Sequence, residues 1–313
     1  MSEIGKSFVN SFGIFKDTVK VLFKYPSLFI PVILNVALFT VIVYYLMYYV
    51  NYAELITLPQ RLLFGISVVV TLCFVISFCC FFMLEIMQQI ETGKKTNLFS
   101  AIYEVVFKDV PRALPIMLVW AIIWFILFVI DILVSSVNNR GGITKYNRRI
   151  KAASAALRLI QSGVGMLVFY VYPAIAWEDR TPIESVKKAF GHLEVLGKEF
   201  LIGFGGIDII LICLLFIPLI VTYFAVEVFN VTITTTITPK TFLFILLGYM
   251  SFAYSIYIFL QQTYVAILYL WIIKWQKEMV NAVVNKLPIP EIKDVEIPSL
   301  VDGACDLNHF NKR

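Results

Sequence analysis

Residues 62–84 read LLFGISVVVTLCFVISFCCFFML and contain no charged side chain. The run is close to the roughly 20 residues that an α-helix needs to cross the hydrocarbon core of a bilayer. Together with five similar runs it gives the predicted spans Leu28–Val50, Leu62–Leu84, Leu114–Val134, Leu157–Trp177, Phe200–Ala225 and Phe242–Ile273. Such runs lack the alternation of membrane β-barrel strands, so the sequence predicts an all-α, polytopic membrane helix bundle.

Composition leads to the same class. Hydrophobic residues make up 60% and charged residues 15% of the 313 positions, whereas soluble domains average roughly 45–50% apolar and 25% charged residues. A water-soluble core of this size cannot hide the surplus apolar surface. A lipid-facing exterior is therefore required.

Positive charge is distributed unequally between the two sides that six spans define. Eighteen Lys and Arg residues fall in the amino-terminal segment, the 85–113 and 178–199 connections and the tail from residue 274, against seven in the other connections. Basic connections tend to stay cytoplasmic. We therefore expect a multi-pass protein of a prokaryotic cell membrane with both termini in the cytoplasm.

The 135–156 connection disagrees with this orientation, because it carries five basic residues and no acid although six spans place it outside. One explanation is that it lies in the membrane interface as a helix that begins near Thr144. The other is that the 114–134 segment is re-entrant, which would put the loop inside and invert everything after it. We adopt the six-span arrangement as the simpler prediction.

Three amphipathic segments, here called leaders, each precede a pair of spans. They cover residues 7–24, 98–110 and 182–200. A lysine-flanked apolar stripe is typical of a helix that lies on an anionic inner leaflet. The chain is thus predicted to form one transmembrane domain over 1–286, followed by an extended or disordered cytoplasmic tail over 287–313. The domain consists of three leader-plus-hairpin units at about 1–90, 91–178 and 179–286.

Helical spacing predicts which face of each leader is apolar. The predicted stripes are Ile4, Phe8, Phe12, Phe15, Val19, Leu22 and Phe23 in the first leader, Leu98, Ile102, Val105, Val106 and Val110 in the second, and Ile183, Val186, Ala189, Phe190, Leu193 and Phe200 in the third. His192 is expected on the polar face of the third leader. That leader also has a helix start signal in Thr181, Pro182 and Glu184.

The segment YPAIAWEDRTPIESVKKAF, residues 172–190, joins the fourth span to the third leader. Its acidic turn, Thr-Pro-Ile-Glu helix start and short amphipathic helix resemble a pattern in prokaryotic polytopic membrane families. Those families are related in layout to the membrane domain of glycerophosphodiester phosphodiesterases. Residues 15–31 resemble their amino-terminal segment. The resemblance implies a fold type, and no phosphodiesterase activity, because the catalytic domain is absent from this chain.

Ionisable side chains inside spans are the candidate functional residues, because burying a charge in lipid is costly. Asp208 lies about a third of the way into the fifth span. It follows Gly203, Gly205 and Gly206. Glycines permit a helix break, where a carboxylate would resemble an ion or proton site, or close packing with the carboxylate in an interhelical hydrogen bond. Asp131, near the outer end of the third span, is a second candidate, or it reaches the interface.

No catalytic signature is recognisable. A Ser–His–acid set, a phosphate loop and a dinucleotide fingerprint are all missing, and the five cysteines have no metal-ligand spacing with the two histidines. We expect no enzymatic activity, cofactor or metal. The best prediction is a non-enzymatic membrane scaffold or accessory subunit, because intramembrane charge is sparse. The alternative, favoured by Asp208 and its glycines, is a transporter or channel for a small solute, ion or lipid.

The basic residues lie in membrane-proximal segments. This placement favours the lipid bilayer and its anionic headgroups as the partner, and not nucleic acid. A protein partner or homo-oligomer is a further candidate that the sequence does not identify.

Overall fold

The structure, a computed structural model, describes residues 3–140, 145–223 and 239–298, which are helical with no strand among them. The helices are α1 (Glu3–Lys24), α2 (Phe29–Tyr48), α3 (Leu58–Glu91), α4 (Leu98–Glu104), α5 (Val110–Arg140), α6 (Lys145–Glu178), α7 (Pro182–Tyr223) and α8 (Pro239–Val284). Short 3₁₀ turns occupy Pro26–Leu28, Tyr52–Glu54 and Ile292–Asp294, and a π-helical turn, Val105–Asp109, joins α4 to α5. The predicted all-α class is confirmed.

Five stretches are long and apolar enough to cross a membrane. They are Pro26–Tyr48, Leu58–Glu91, Leu98–Val134, Pro182–Ile217 and Leu243–Val284. A shorter apolar stretch, Gly163–Glu178, lies in α6 where the fourth span is predicted. The chain is therefore a multi-pass helical membrane bundle.

The length of α5 helps to distinguish the two explanations for the basic 135–156 connection. This helix runs without interruption from Val110 to Arg140, which at 1.5 Å per residue is about 46 Å. The hydrocarbon core is only about 30 Å thick. That length favours a full crossing over the re-entrant alternative. Residues 141–144, at the centre of the connection, lie outside the described residues.

The spanning helices form a ring in chain order. Each of α2, α3, α5, α6 and α7 packs against the next, and α8 closes the ring by packing against both α7 and α2. The first leader, α1, packs against α7 and α8. Helices α3, α6 and α8 also meet across the interior.

The core is concentrated at the end of the bundle where α1, α4 and the start of α7 gather, here called the leader end. Residues 79–88 of α3, 168–177 of α6 and 258–273 of α8 are buried on every side. A helix that is apolar all round occupies the centre of a bundle. Polar bonds connect these central helices: Ser77 and Tyr172 hydroxyls are 2.5 Å apart, and the indole N–H of Trp177 donates to the carbonyl of Leu84 at 3.0 Å.

The first leader turns only part of its predicted stripe towards the bundle, since Phe15, Val19 and Leu22 pack against the core. It buries Ser11, Ile14, Thr18 and Val21, and the Ser11 hydroxyl donates to the carbonyl oxygen of Glu199 at 3.1 Å. Phe12 and Phe23, two members of the predicted stripe, are 62% and 73% exposed. Small and hydroxyl side chains let helix backbones approach closely. The aromatic rings of Phe12 and Phe23 remain on the outside.

The other two leaders also bury part of their predicted stripes, Val105 and Val110 in the second and Ala189 and Phe200 in the third. The second buries Ala101, Val105 and Val110 and exposes Phe99, Tyr103 and Phe107. The third buries Ser185, Ala189, His192, Leu196 and Phe200 and exposes Ile183 and Phe190. The expectation that His192 lies on the polar outer face is wrong. It sits on the buried, small-residue face, three residues after Ala189 and four before Leu196.

The chain after α8 folds back along that helix. The indole N–H groups of Trp271 and Trp275 donate to the carbonyl oxygens of Val295 and Pro290, both at 2.9 Å. Val295 is buried. Residues 299–313 of the predicted tail lie outside the described residues.

Candidate functional site

The acidic turn between α6 and α7 brings together charged groups from several helices. Asp179 adopts a left-handed backbone conformation, with φ of 54°, which aspartate tolerates better than most residues. The turn ends at Thr181, whose backbone N–H donates to the Glu184 carboxylate at 3.3 Å, the Glu184 half of the predicted capping box. Sequence and local geometry therefore agree on where α7 begins.

Glu178 is the centre of a polar cluster at the leader end, here called the Glu178 cluster. Its carboxylate accepts hydrogen bonds from Lys188, from Arg180 Nε at 2.5 Å and from the Tyr269 hydroxyl at 2.5 Å. The Lys188 ammonium also lies 5.3 Å from the centre of the Tyr269 ring, within cation–π range. One carboxylate thus joins the last residue of α6 to α7 and α8.

Two cations of the cluster are partly open to solvent. Arg112, at the start of α5, pairs with Asp179 and adds a fourth helix to the network. Hydrogen bonding to Glu178 raises the pKa of Arg180 above its ordinary value. Because the Glu178 and Lys188 side chains are only 14% and 16% exposed, the inner pair is shielded from water. The cluster is therefore a structural junction between helices.

His192 lies beside this junction, before the break in α7 at Leu196. It is 4% exposed, and its ring meets those of Tyr170 and Tyr269 at centroid distances of 5.9 and 5.3 Å. Its Nδ1 is 3.4 Å from the Tyr170 hydroxyl, and its Nε2 has no hydrogen-bond partner among the described residues. The ring is therefore enclosed by aromatic side chains at the centre of the leader end.

Asp208 takes part in a contact between two helices. Its carboxylate accepts a hydrogen bond of 2.6 Å from the hydroxyl of Tyr257 on α8. Asp208 itself is half-buried. This is the arrangement of an interhelical hydrogen bond, one of the two interpretations that its sequence position left open.

The glycines before Asp208 have different surroundings. Gly203 faces the ring of Tyr264, into which a Cβ atom at this position would project. The hydroxyl of Tyr264, on α8, donates to the Glu199 carbonyl of α7 at 2.7 Å. This hydrogen bond holds the ring against α7. Gly205 and Gly206 are exposed and have open space around them.

The backbone of α7 stays helical through these glycines. Its non-helical residue is Leu196, with φ of −109° and ψ of 17°. The departure from helix therefore separates the third leader from the spanning part of α7 and does not occur beside Asp208. Glycines in this stretch were expected to permit either a helix break or close helix packing. Gly203 permits close packing.

Asp131 lies in a different part of the bundle. It is half-buried on α5, 21 residues beyond Val110, whereas Asp208 is 12 residues beyond Leu196 on α7. At 1.5 Å per residue these positions are about 31 Å and 18 Å from the leader end. Gly203, Gly205, Gly206 and Asp208 thus share one stretch of α7, and Asp131 does not join them.

Sequence reasoning missed the participation of Tyr269 in the Glu178 cluster and the burial of His192. A signal for His192 was present, since Ser185, Ala189, His192 and Leu196 recur at spacings of four, three and four residues. Tyr269 is 91 residues from Glu178, and no local pattern connects the two.

No protein-family model, curated protein or solved structure matches this chain. Within residues 3–140, 145–223 and 239–298, no group of three or more His, Cys, Asp and Glu side chains is placed to hold a metal ion. The function is therefore argued from the geometry of the bundle and its leaders.

Proposed function

We propose that the protein is a non-enzymatic membrane scaffold or accessory subunit, whose leaders lie in the cytoplasmic leaflet of the cell membrane and anchor the bundle there. The observation that carries this proposal is the two-sided character of the leaders. Each leader packs against the bundle with one face and presents large aromatic side chains on the other: Phe12 and Phe23 in the first leader, Phe99 and Phe107 in the second and Phe190 in the third.

The outward side chains have the chemistry of an interfacial anchor. Phe12, Phe99, Phe107 and Phe190 are between 58% and 87% exposed. Water would disfavour such a collection of aromatic rings, whereas a bilayer interface accommodates them. The three leaders would therefore surround the bundle with a shallowly inserted apolar border.

Charge at the same end supports contact with anionic headgroups. Lys16, Lys94, Lys95 and Lys187 are exposed on or beside the leaders. A basic side chain near an anionic leaflet contributes about 1 kcal/mol of membrane attraction. Aromatic rings below the headgroups and lysines beside them form a surface suited to a negatively charged inner leaflet.

Spin-label accessibility in proteoliposomes tests the leader contact. Single cysteines at Phe12, Phe107 and Phe190, one per leader, would carry nitroxides in a variant lacking the native cysteines. We expect all three labels to collide more often with oxygen than with a water-soluble nickel chelate. A label at Lys95 should show the opposite preference and serves as the control. Chelate-accessible labels on the three leaders would contradict the proposal.

The transport alternative makes a separate prediction at Asp208. If Asp208 serves mainly to join α7 to α8, Asp208→Asn keeps an acceptor for the Tyr257 hydroxyl and should change thermal stability by less than about 1 kcal/mol. Flux of ions and small solutes into proteoliposomes should be the same for wild type and variant, at the level of empty liposomes. Flux that requires wild-type protein and disappears in Asp208→Asn would establish transport instead.

A further inference from the structure

A cavity of about 320 Å³ opens among α2, α3, α5, α7 and α8. Its wall consists almost entirely of aliphatic and aromatic side chains, including Phe39, Val43, Trp120, Trp124, Leu211 and Met250. Binding pockets for small molecules range from roughly 300 to 1,000 Å³. An apolar cavity of roughly half this volume is already sufficient to bind benzene.

The cavity lies at a depth where lipid chains surround the protein. Trp120 is 10 residues beyond Val110 on α5, and Leu211 is 15 residues beyond Leu196 on α7. These separations place the wall about 15–22 Å from the leader end. Because the flanking stretches are membrane spans, an occupant is most readily supplied sideways from the bilayer.

We infer that the cavity binds a single lipid acyl chain, which enters from the bilayer and packs against Val43, Trp120 and Leu211. A free fatty acid and the acyl chain of a phospholipid both have this chemistry. The site goes beyond the scaffold proposal, because the leaders can anchor the bundle whether or not the cavity is filled.

Native mass spectrometry of the full-length protein in detergent tests the inference. Hexadecanoic acid and a palmitoyl-oleoyl phosphatidylglycerol are supplied separately, and retained probe is measured against concentration. We expect saturable retention of one molecule. Retention of only the acid, or of only the phospholipid, identifies the source of the chain and supports the site in either case.

Three variants locate the binding. Leu211→Phe, which fills the cavity, should lower affinity about tenfold. Ile209→Phe, at an exposed position on the same helix, should leave it unchanged. Val43→Phe fills the cavity from α2 and replaces Leu211→Phe if that variant does not fold. Non-saturable retention of both probes, or equal affinity in wild type and the filling variants, would overturn the inference.

Discussion

Glu178→Ala is expected to destabilise the bundle by about 2–3 kcal/mol. The substitution leaves the Lys188 ammonium without its carboxylate in a site where that side chain is 16% exposed, and it removes the acceptor of the Tyr269 hydroxyl. Breaking a fully buried ion pair costs about 3–5 kcal/mol. The residual exposure of this pair lowers the expected value. Reversible unfolding in mixed micelles measures the change.

The matched control is Glu194→Ala, because Glu194 is exposed on the third leader, which also carries Lys188. Exposed substitutions of this kind usually change stability by less than about 0.5 kcal/mol. A Glu178→Ala/Lys188→Met double variant should be more stable than Glu178→Ala alone, since the unpaired charge is gone. If Glu178→Ala and Glu194→Ala were equally stable, Glu178 would not be the centre of the junction described above.

Gly203→Ala is expected to destabilise the protein by about 1–3 kcal/mol, the usual range for overpacking a tight contact. The added Cβ atom would overlap the ring of Tyr264. That ring cannot move aside cheaply, because its hydroxyl donates to the Glu199 carbonyl at 2.7 Å. Helices α7 and α8 must therefore separate. Thermal unfolding in detergent, followed by circular dichroism, reports the loss.

The neighbouring Gly205 supplies the comparison for this prediction. An alanine Cβ there meets no atom within 4 Å, and alanine is a better helix former than glycine by up to about 1 kcal/mol. Gly205→Ala should therefore be neutral or slightly stabilising. Equal destabilisation by both substitutions would point to a requirement for backbone flexibility in this part of α7 and against a packing role for Gly203.

The fold class could be predicted because it depends on composition and run length. A stretch such as Leu62–Leu84 has few alternatives to a membrane helix, and α3 indeed covers it. The face that each leader turns towards the bundle could be predicted only in part from its most apolar stripe, because Val105 and Ala189 are buried whereas Phe12 and Phe190 are exposed. In water that stripe marks the core, but lipid also accepts apolar side chains, so Ile183 and Phe190 face outward while Ser185 and His192 are buried.

The residues of the candidate site could also be predicted only in part. Asp208 could be found because a carboxylate inside an apolar span stands out, and Gly203 because glycines cluster before it. Their partners could not be found, since Tyr257 and Tyr264 lie on α8 and depend on the register between two helices. The Glu178 cluster is similar: Lys188 is close in sequence, whereas Tyr269 joins only through the packing of α8.

We propose that the bundle crosses the membrane six times with its leader end in the cytoplasm. Cysteine labelling from one side of the membrane tests it most directly, using Asn138→Cys beyond the far end of the third span and Lys95→Cys at the leader end, each in a variant lacking the native cysteines. In intact cells, a membrane-impermeant maleimide should label Asn138→Cys and should reach Lys95→Cys only after lysis. Labelling of Asn138→Cys only after lysis would contradict the claim.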